Sequence, residues 1–334
     1  MATTSVTAKR KHIDVHVHCR DWAESAKATI SQVKRLSESQ GIVAICDMPN
    51  TKPAITTADL VERRFRTAES QGVTNGYYLY IGATADPGQI SEAARIATDH
   101  PKVVGIKLYA GKSTGDLAVI NEQDQFNIYT VLAREKYKGI LAVHCEEEGL
   151  AMSGLWNPVI PATWNLAKPP EMEIVGVEKQ ILFASHVGFE GHLHICHTST
   201  PEAVEMVNDA RSNLRISCGS TPHHLMFSTD EMQEVGAMRF KVNPPIRDRR
   251  SVLQLNNLLR AGKIDWIETD HAPHKTEEKK YDWSHPKEFY MSGIRSLETY
   301  SAFLDILALK GFSEKQIDDL TYGNVKKVFT KIVE

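Results

Sequence analysis

Residues 13–22 read IDVHVHCRDW. Ile13, Val15 and Val17 alternate with Asp14, His16 and His18, which is the period of a β-strand. Side chains two apart on a strand share a face. His16 and His18 therefore point together, and Arg20 extends the row if the strand runs on. Two imidazoles on one face are either a metal site or a pair of satisfied core histidines. The segment alone leaves both readings open.

Outward from it, apolar β-rich runs recur: 12–18, 42–48, 77–84, 103–109, 140–145, 192–197, 214–219 and 264–269. Between them, 23–39, 57–70, 88–99, 122–136, 171–187, 201–211 and 248–261 carry helical spacing and charged faces. Several open on capping residues or proline, at Thr57, Asp86-Pro87 and Thr200-Pro201. Strands alternating with helices imply a parallel sheet, and eight of them imply a closed (β/α)8 TIM-type barrel. No linker marks a boundary, so 1–334 reads as a single barrel domain. Only about a dozen residues precede the first strand, and 294–331 reads as helices. Little or no accessory β-sandwich is expected. What closes the barrel's bottom is not legible, and a partner subunit is one option. The stretch 150–170 is a long loop with four prolines, and such loops are usually lids or covering segments.

Bulk composition removes several function classes. A formal charge of −3 leaves no basic footprint for nucleic acid. No apolar run approaches the roughly 20 residues of a membrane span. The start, MATTSVTAKRKH, has no apolar segment of a secretory signal. Five cysteines without a CxxC pair fit a reducing, cytoplasmic setting.

The unusual polar residues fall at one end of the strands. His16 and His18 end the first, Asn50 follows the second and Lys107 lies near the end of the fourth. His144 ends the fifth, His197 the sixth, and Asp270 follows the eighth. In this architecture the active site lies at the strands' C-terminal ends. Convergence on one mouth favours the metal reading of the opening histidines.

The motifs at those positions are DxHxHxR (14–20), DMPNT (47–51), GIKLYAG (105–111), HCEEE (144–148), HICHTST (194–200), PHHL (222–225), KVNPPIR (241–247) and TDHAPH (269–274). Together they resemble the dihydroorotase family of the amidohydrolase superfamily, over about residues 12–300. The resemblance implies a reversible cyclisation of N-carbamoyl-L-aspartate to dihydroorotate in pyrimidine biosynthesis. It implies two divalent ions, usually zinc, with a bridging hydroxide. His16 and His18 would hold one ion, His144 and His197 the other. Asp270 would bind the first ion and shuttle the proton. Lys107 falls where some members carry a lysine carboxylated on its amine, bridging both ions. A carbamate is an anionic oxygen ligand, whereas an ammonium would repel two cations. The alternative for Lys107, a solvated surface lysine, sits poorly inside the apolar run VVGIKLY. Arg20, Asn50 and His274 would hold the substrate's carboxylate, and Asn243 and Ser292 match positions that touch its ring or carboxylate.

Other residues read as structural. His194 lies an odd number of residues from His197 and so faces away from it, and His192 shares the face of His194. His223 and His224 read as supporting a ligand, His271 as packing or as supporting a ligand. Cys19, Cys145 and Cys196 each adjoin a candidate ligand and are expected on the opposite face, between barrel and helices. The stretch 110–118 reads as either a mobile lid or an ordinary loop. Two rivals stay open. One is a hydrolase of neutral cyclic amides, such as a dihydropyrimidinase, hydantoinase or allantoinase, which has no need of a carboxylate-binding arginine. The other is an inactive scaffold subunit, which typically loses metal ligands. The partner expected is a small-molecule substrate. A homo-oligomer or a pyrimidine-pathway complex is left open.

Overall fold

Eight parallel strands pair in chain order: β1 His12–Val17, β2 Ile42–Asp47, β3 Tyr77–Gly82, β4 Val103–Ala110, β5 Ile140–Cys145, β6 His192–Ile195, β7 Ile216–Ser220 and β8 Trp266–Ile267. The computed structural model describes residues 11–112, 115–282, 284 and 290–333. The sheet curls into a (β/α)8 barrel and closes just past β8. There Val17 bridges His271, and His18 N–H donates to His271 O at 2.9 Å. Asp14 adds to the seam by accepting Thr269 N–H at 3.1 Å and Thr269 Oγ1–H at 2.5 Å. Burial pushes its carboxyl up to about 7 in spite of these bonds. Among the described residues no strand lies outside the barrel.

Helices form where the periodicity places them. Thr57 caps the helix Ala58–Ser70 by accepting from Leu60 N, and Asp86 caps Pro87–Asp99, which opens on proline. We label Ile30–Ser39 α1 and Ala58–Ser70 α2. The expected helix 23–39 begins only at Ile30. The chain first turns a corner in which Arg20, Asp21 and Trp22 all have positive φ, and Trp22–Glu24 is a single 3-10 turn. β8 is shorter than expected: its ladder with β7 stops at Ile267, and the chain pairs again, with β1, only at His271, after Asp270 turns at φ 47°.

Two apolar layers form the core. The larger lies between strands and helices. The smaller fills the barrel, where Ile13, Val15, Val104, Ile140 and Trp266 meet Val325, Phe329 and Ile332 from the C-terminal segment. That segment is the barrel's floor, so the closure the sequence left open comes from the chain itself. It is tied down by Tyr78, whose hydroxyl donates to Val333 O and accepts Val333 N–H, both at 2.8 Å. The loop 150–170 folds into 3-10 turns and the short helix Trp164–Ala167. It covers part of the mouth, with Trp164 Nε1 donating to Val242 O at 3.0 Å. Among the described residues, no helix is long and apolar enough to cross a membrane.

Candidate metal centre

At the C-terminal ends of the strands, His16, His18, Arg20, Asn50, His144, His197, Asn243, Asp270 and Ser292 line one pocket. Potential ligand atoms of His16, His18 and Asp270 all lie within 4.8 Å of one another. Asp270 Oδ1 is 3.0 Å from His18 Nε2 and 3.4 Å from His16 Nε2. On the other side, His144 Nδ1 faces His197 Nε2 at 3.2 Å. The His16 and His197 rings, 5.0 Å apart, join the two groups.

Two of the four rings, His18 and His144, are anchored at one nitrogen so that the other faces the pocket. His18 Nδ1 donates to Asn50 Oδ1 at 2.8 Å, which turns Nε2 inward towards Asp270. His144 Nε2 donates to Glu146 Oε2 at 2.9 Å, and Lys168 Nζ donates to the same oxygen at 2.7 Å. Burial alone would raise the Glu146 carboxyl, but Lys168 and His144 pull it down to about 2. Among the described residues, His16 Nδ1 and His197 Nδ1 are buried without a hydrogen-bond partner. Buried nitrogens are rarely left in this state unless a ligand or ion completes them. With four imidazoles and a carboxylate, the donor set fits divalent cations. Burial also works to raise the Asp270 carboxyl. The hydrogen bond from His18 and the charges of His16 and His18 outweigh it and hold the group well below the usual carboxylate range.

Lys107 points into the barrel from β4 and is fully buried. Its Nζ lies 3.0 Å from Cys196 Sγ, and its charge adds to burial and to the neighbouring imidazoles in pushing His197 well below the usual imidazole range. Cys196 differs from expectation. Cys19 and Cys145 pack between barrel and helices, but Cys196 belongs to the barrel interior. β6 ends at Ile195 and His197 takes φ 37°, so strand alternation stops before the ligand does. His194 and His197 therefore do not need opposite faces. His194 still reads as structural, with Nε2 2.9 Å from Glu268 Oε2 and Nδ1 3.1 Å from Ser217 Oγ. His192 shares that serine at 2.8 Å. His224 Nε2 donates to Pro244 O at 2.9 Å, and His223 Nδ1 meets Ser296 Oγ at 3.0 Å.

Arg20 does not continue a strand row, because β1 ends at Val17. It reaches the pocket from the left-handed corner instead. Its Nε donates to Pro273 O at 3.1 Å, and its Nη2 lies 3.1 Å from His274 Nε2, which also meets Ser292 O at 3.0 Å. Burial, then the neighbouring charge of Arg20, pull His274 down to about 2, so it is neutral. His274 thus supports Arg20 and is not among the residues lining the pocket. Asn243 Oδ1 accepts Trp164 Nε1–H at 3.0 Å, and Ser292 Oγ accepts from Lys241 Nζ at 2.7 Å. Both residues also border an adjoining cavity of about 450 Å³ walled by Trp156, Trp164 and Tyr290. Of 110–118, residues 113 and 114 lie outside the described residues. Gly115 and Asp116 border that same cavity.

Two carboxylates escaped the sequence reading. Glu146 was visible in HCEEE as the first acid after a ligand. Glu268 stood in the apolar run IDWIETD, a place where an unpaired acid is costly. Glu268 is fully buried, accepts the His197 backbone N–H and Trp266 Nε1–H, and meets His194. It lies 3.7 Å from His16 Nδ1.

No protein-family model matches the chain. The dihydroorotase of Streptomyces coelicolor is 30% identical over 277 residues, which cover 81% of this chain and 62% of that protein. The dihydroorotase of Halobacterium salinarum is 29% identical over 321 residues, 95% of this chain and 71% of that protein. By sequence, the chain is similar to dihydroorotases over most of its length. It spans under two thirds of the Streptomyces protein's length. Among solved structures, an L-hydantoinase (dihydropyrimidinase) from Arthrobacter aurescens superposes with a TM-score of 0.83 at 24% identity, covering 96% of this chain and 70% of that one. A dihydroorotase from Campylobacter jejuni gives 0.71 at 17% identity, covering 96% and 83%. These two likenesses bear on the fold alone.

Proposed function

We propose that the protein is a binuclear metal hydrolase that interconverts N-carbamoyl-L-aspartate and dihydroorotate in pyrimidine biosynthesis. The observation that carries the reading is Arg20. A buried guanidinium lines the same pocket as four imidazoles and Asp270, and a neutral ring would have no use for it. The dihydroorotase relatives support the same choice. His16, His18 and Asp270 hold one ion, and His144 and His197 hold the other. We assign zinc from the nitrogen-rich donor set. Lys107, fully buried with its Nζ at Cys196 Sγ, would as a carbamate supply the ions with an anionic oxygen ligand in place of a buried cation. When bound, the ions polarise the amide carbonyl and make water acidic enough to attack at neutral pH.

The chain's own residues do the rest. Asp270 is held ionised by its histidines, so it can take a proton from the attacking water and return it to the leaving amide nitrogen. Arg20, steadied by His274 and Pro273 O, grips the carboxylate remote from the reacting carbonyl. Asn50 keeps the tautomer of His18, and Asn243 and Ser292 border the substrate. Five unbridged cysteines support a cytoplasmic setting.

Assaying the purified protein on dihydroorotate, dihydrouracil, hydantoin and allantoin tests the reading. Dihydroorotate is expected to be preferred by at least about a hundredfold in kcat/KM, because a fork left without its carboxylate costs several kcal/mol. Preference for a neutral ring would instead support a hydantoinase-type enzyme.

A further inference from the structure

Arg20 reaches the pocket from an expensive corner. Arg20, Asp21 and Trp22 take φ of 60°, 61° and 49° in succession, and none is glycine. Asp21, with ψ −173°, occupies a region that is almost exclusively glycine's. Such a run persists only when its surroundings over-determine it.

The surroundings are one face of α2. Arg64, Thr67 and Gln71 lie three and then four residues apart and so share that face. Each takes one residue of the corner. Arg64 Nη1 donates to Arg20 O at 2.8 Å, and Gln71 Nε2 to Asp21 Oδ1 at 2.8 Å. Trp22 Nε1 donates to Thr67 Oγ1 at 3.0 Å. Arg64 is itself fixed at the end of β2, where its Nε and Nη2 donate to Asp47 Oδ2 at 3.1 and 2.7 Å. Tyr77 OH donates to the same oxygen at 2.6 Å. Asp47 Oδ1 then accepts Cys19 N–H at 2.9 Å. The pair thus grips the chain on both sides of the Arg20 α-carbon, at Cys19 N–H and at Arg20 O. Both Arg64 and Asp47 are fully buried. A buried ion pair is seldom more stabilising than apolar residues of the same volume. Its presence behind Arg20 therefore calls for a role beyond stability.

We propose that the Asp47–Arg64 pair is a positioning device for substrate recognition: by clamping the backbone around Arg20 it aims the guanidinium, so that Arg64 sets the affinity for the substrate carboxylate without touching it. This rests on the reading of Arg20 given above. It adds a second layer to that reading, in which a helix on the outside of the barrel governs selectivity at the mouth.

A double-mutant cycle on the metal-loaded enzyme tests it, with Arg20→Met, Arg64→Lys and the two combined. Lysine keeps a cation for Asp47 but cannot also span to Arg20 O. Arg64→Lys is expected to raise KM for dihydroorotate about tenfold, with kcat within about threefold and metal content unchanged. In the Arg20→Met background the same change should move KM by less than about twofold, because the group it aims is gone. An equal effect in both backgrounds, or no KM change in either, overturns the proposal. If Arg20→Met alone leaves KM unchanged, it is the carboxylate role of Arg20 that fails, and the positioning role goes with it. Should Arg64→Lys not fold, Gln71→Leu at the half-buried end of the same face carries the test. It is expected to raise KM by about twofold or more through Arg20, and an unchanged KM contradicts the proposal.

Discussion

The two ends of this barrel differ in what they do with buried atoms. At the floor, Phe329 and Ile332 pack on Ile13, Val15 and Trp266, and the main demand is shape. At the mouth, histidine nitrogens stay buried without partners, a lysine lies among imidazoles, and Arg20, Asp21, Trp22, His197 and Asp270 hold left-handed backbone. Each such residue costs of order 1–3 kcal/mol. The floor stabilises the fold, while the mouth uses part of that stability to hold reactive groups in place. Damage at the mouth should therefore appear in activity and metal content, and damage at the floor in unfolding alone.

The largest expected effect is at Lys107. Lys107→Ala should abolish activity and reduce metal content, and a small carboxylic acid in the buffer should partly restore both. Full activity in the variant would remove the bridging role. Next is Asp270→Asn. The amide oxygen still reaches an ion but cannot accept a proton, so kcat should fall by at least about a thousandfold with most of the metal retained. A wild-type rate of cyclisation would show that the proton goes elsewhere. At the floor, Phe329→Ala should cost about 3–5 kcal/mol in denaturant unfolding while leaving KM and metal content unchanged. A selective loss of activity there would break the division between the two ends.

The smallest effect concerns Glu146, the mouth's best-compensated charge. Its folded pKa, about 2, lies below the ordinary 4.5. The stability it contributes is thus fully present above 4.5 and lost as pH falls towards 2. Wild type should exceed Glu146→Gln by roughly 3 kcal/mol at pH 7, and the gap should close progressively between pH 4.5 and 2. A gap independent of pH would mean that Glu146 acts through packing.

The same division explains what could be read in advance. The strand and helix pattern was legible because periodicity is local, and the histidines and Asp270 were legible because they terminate strands. Three features were not. Cys196 was assigned to the wrong layer because alternation was carried through a strand that stops at Ile195. Arg20 was placed on a strand row that ends at Val17, and the corner replacing it depends on α2, 44 residues further along in the case of Arg64. The floor came from residues whose helical spacing says only that one face is buried, not against what. Glu146 and Glu268 were visible as letters, but their partners Lys168 and His194 are set by tertiary packing.

The most direct test of the central claim is metal content measured together with dihydroorotate hydrolysis on the same preparation of the purified protein. The account predicts about two equivalents of zinc per chain, and activity that is lost on chelation and regained on adding zinc. Protein that carries no bound metal, or that hydrolyses dihydroorotate equally well after complete chelation, would contradict it.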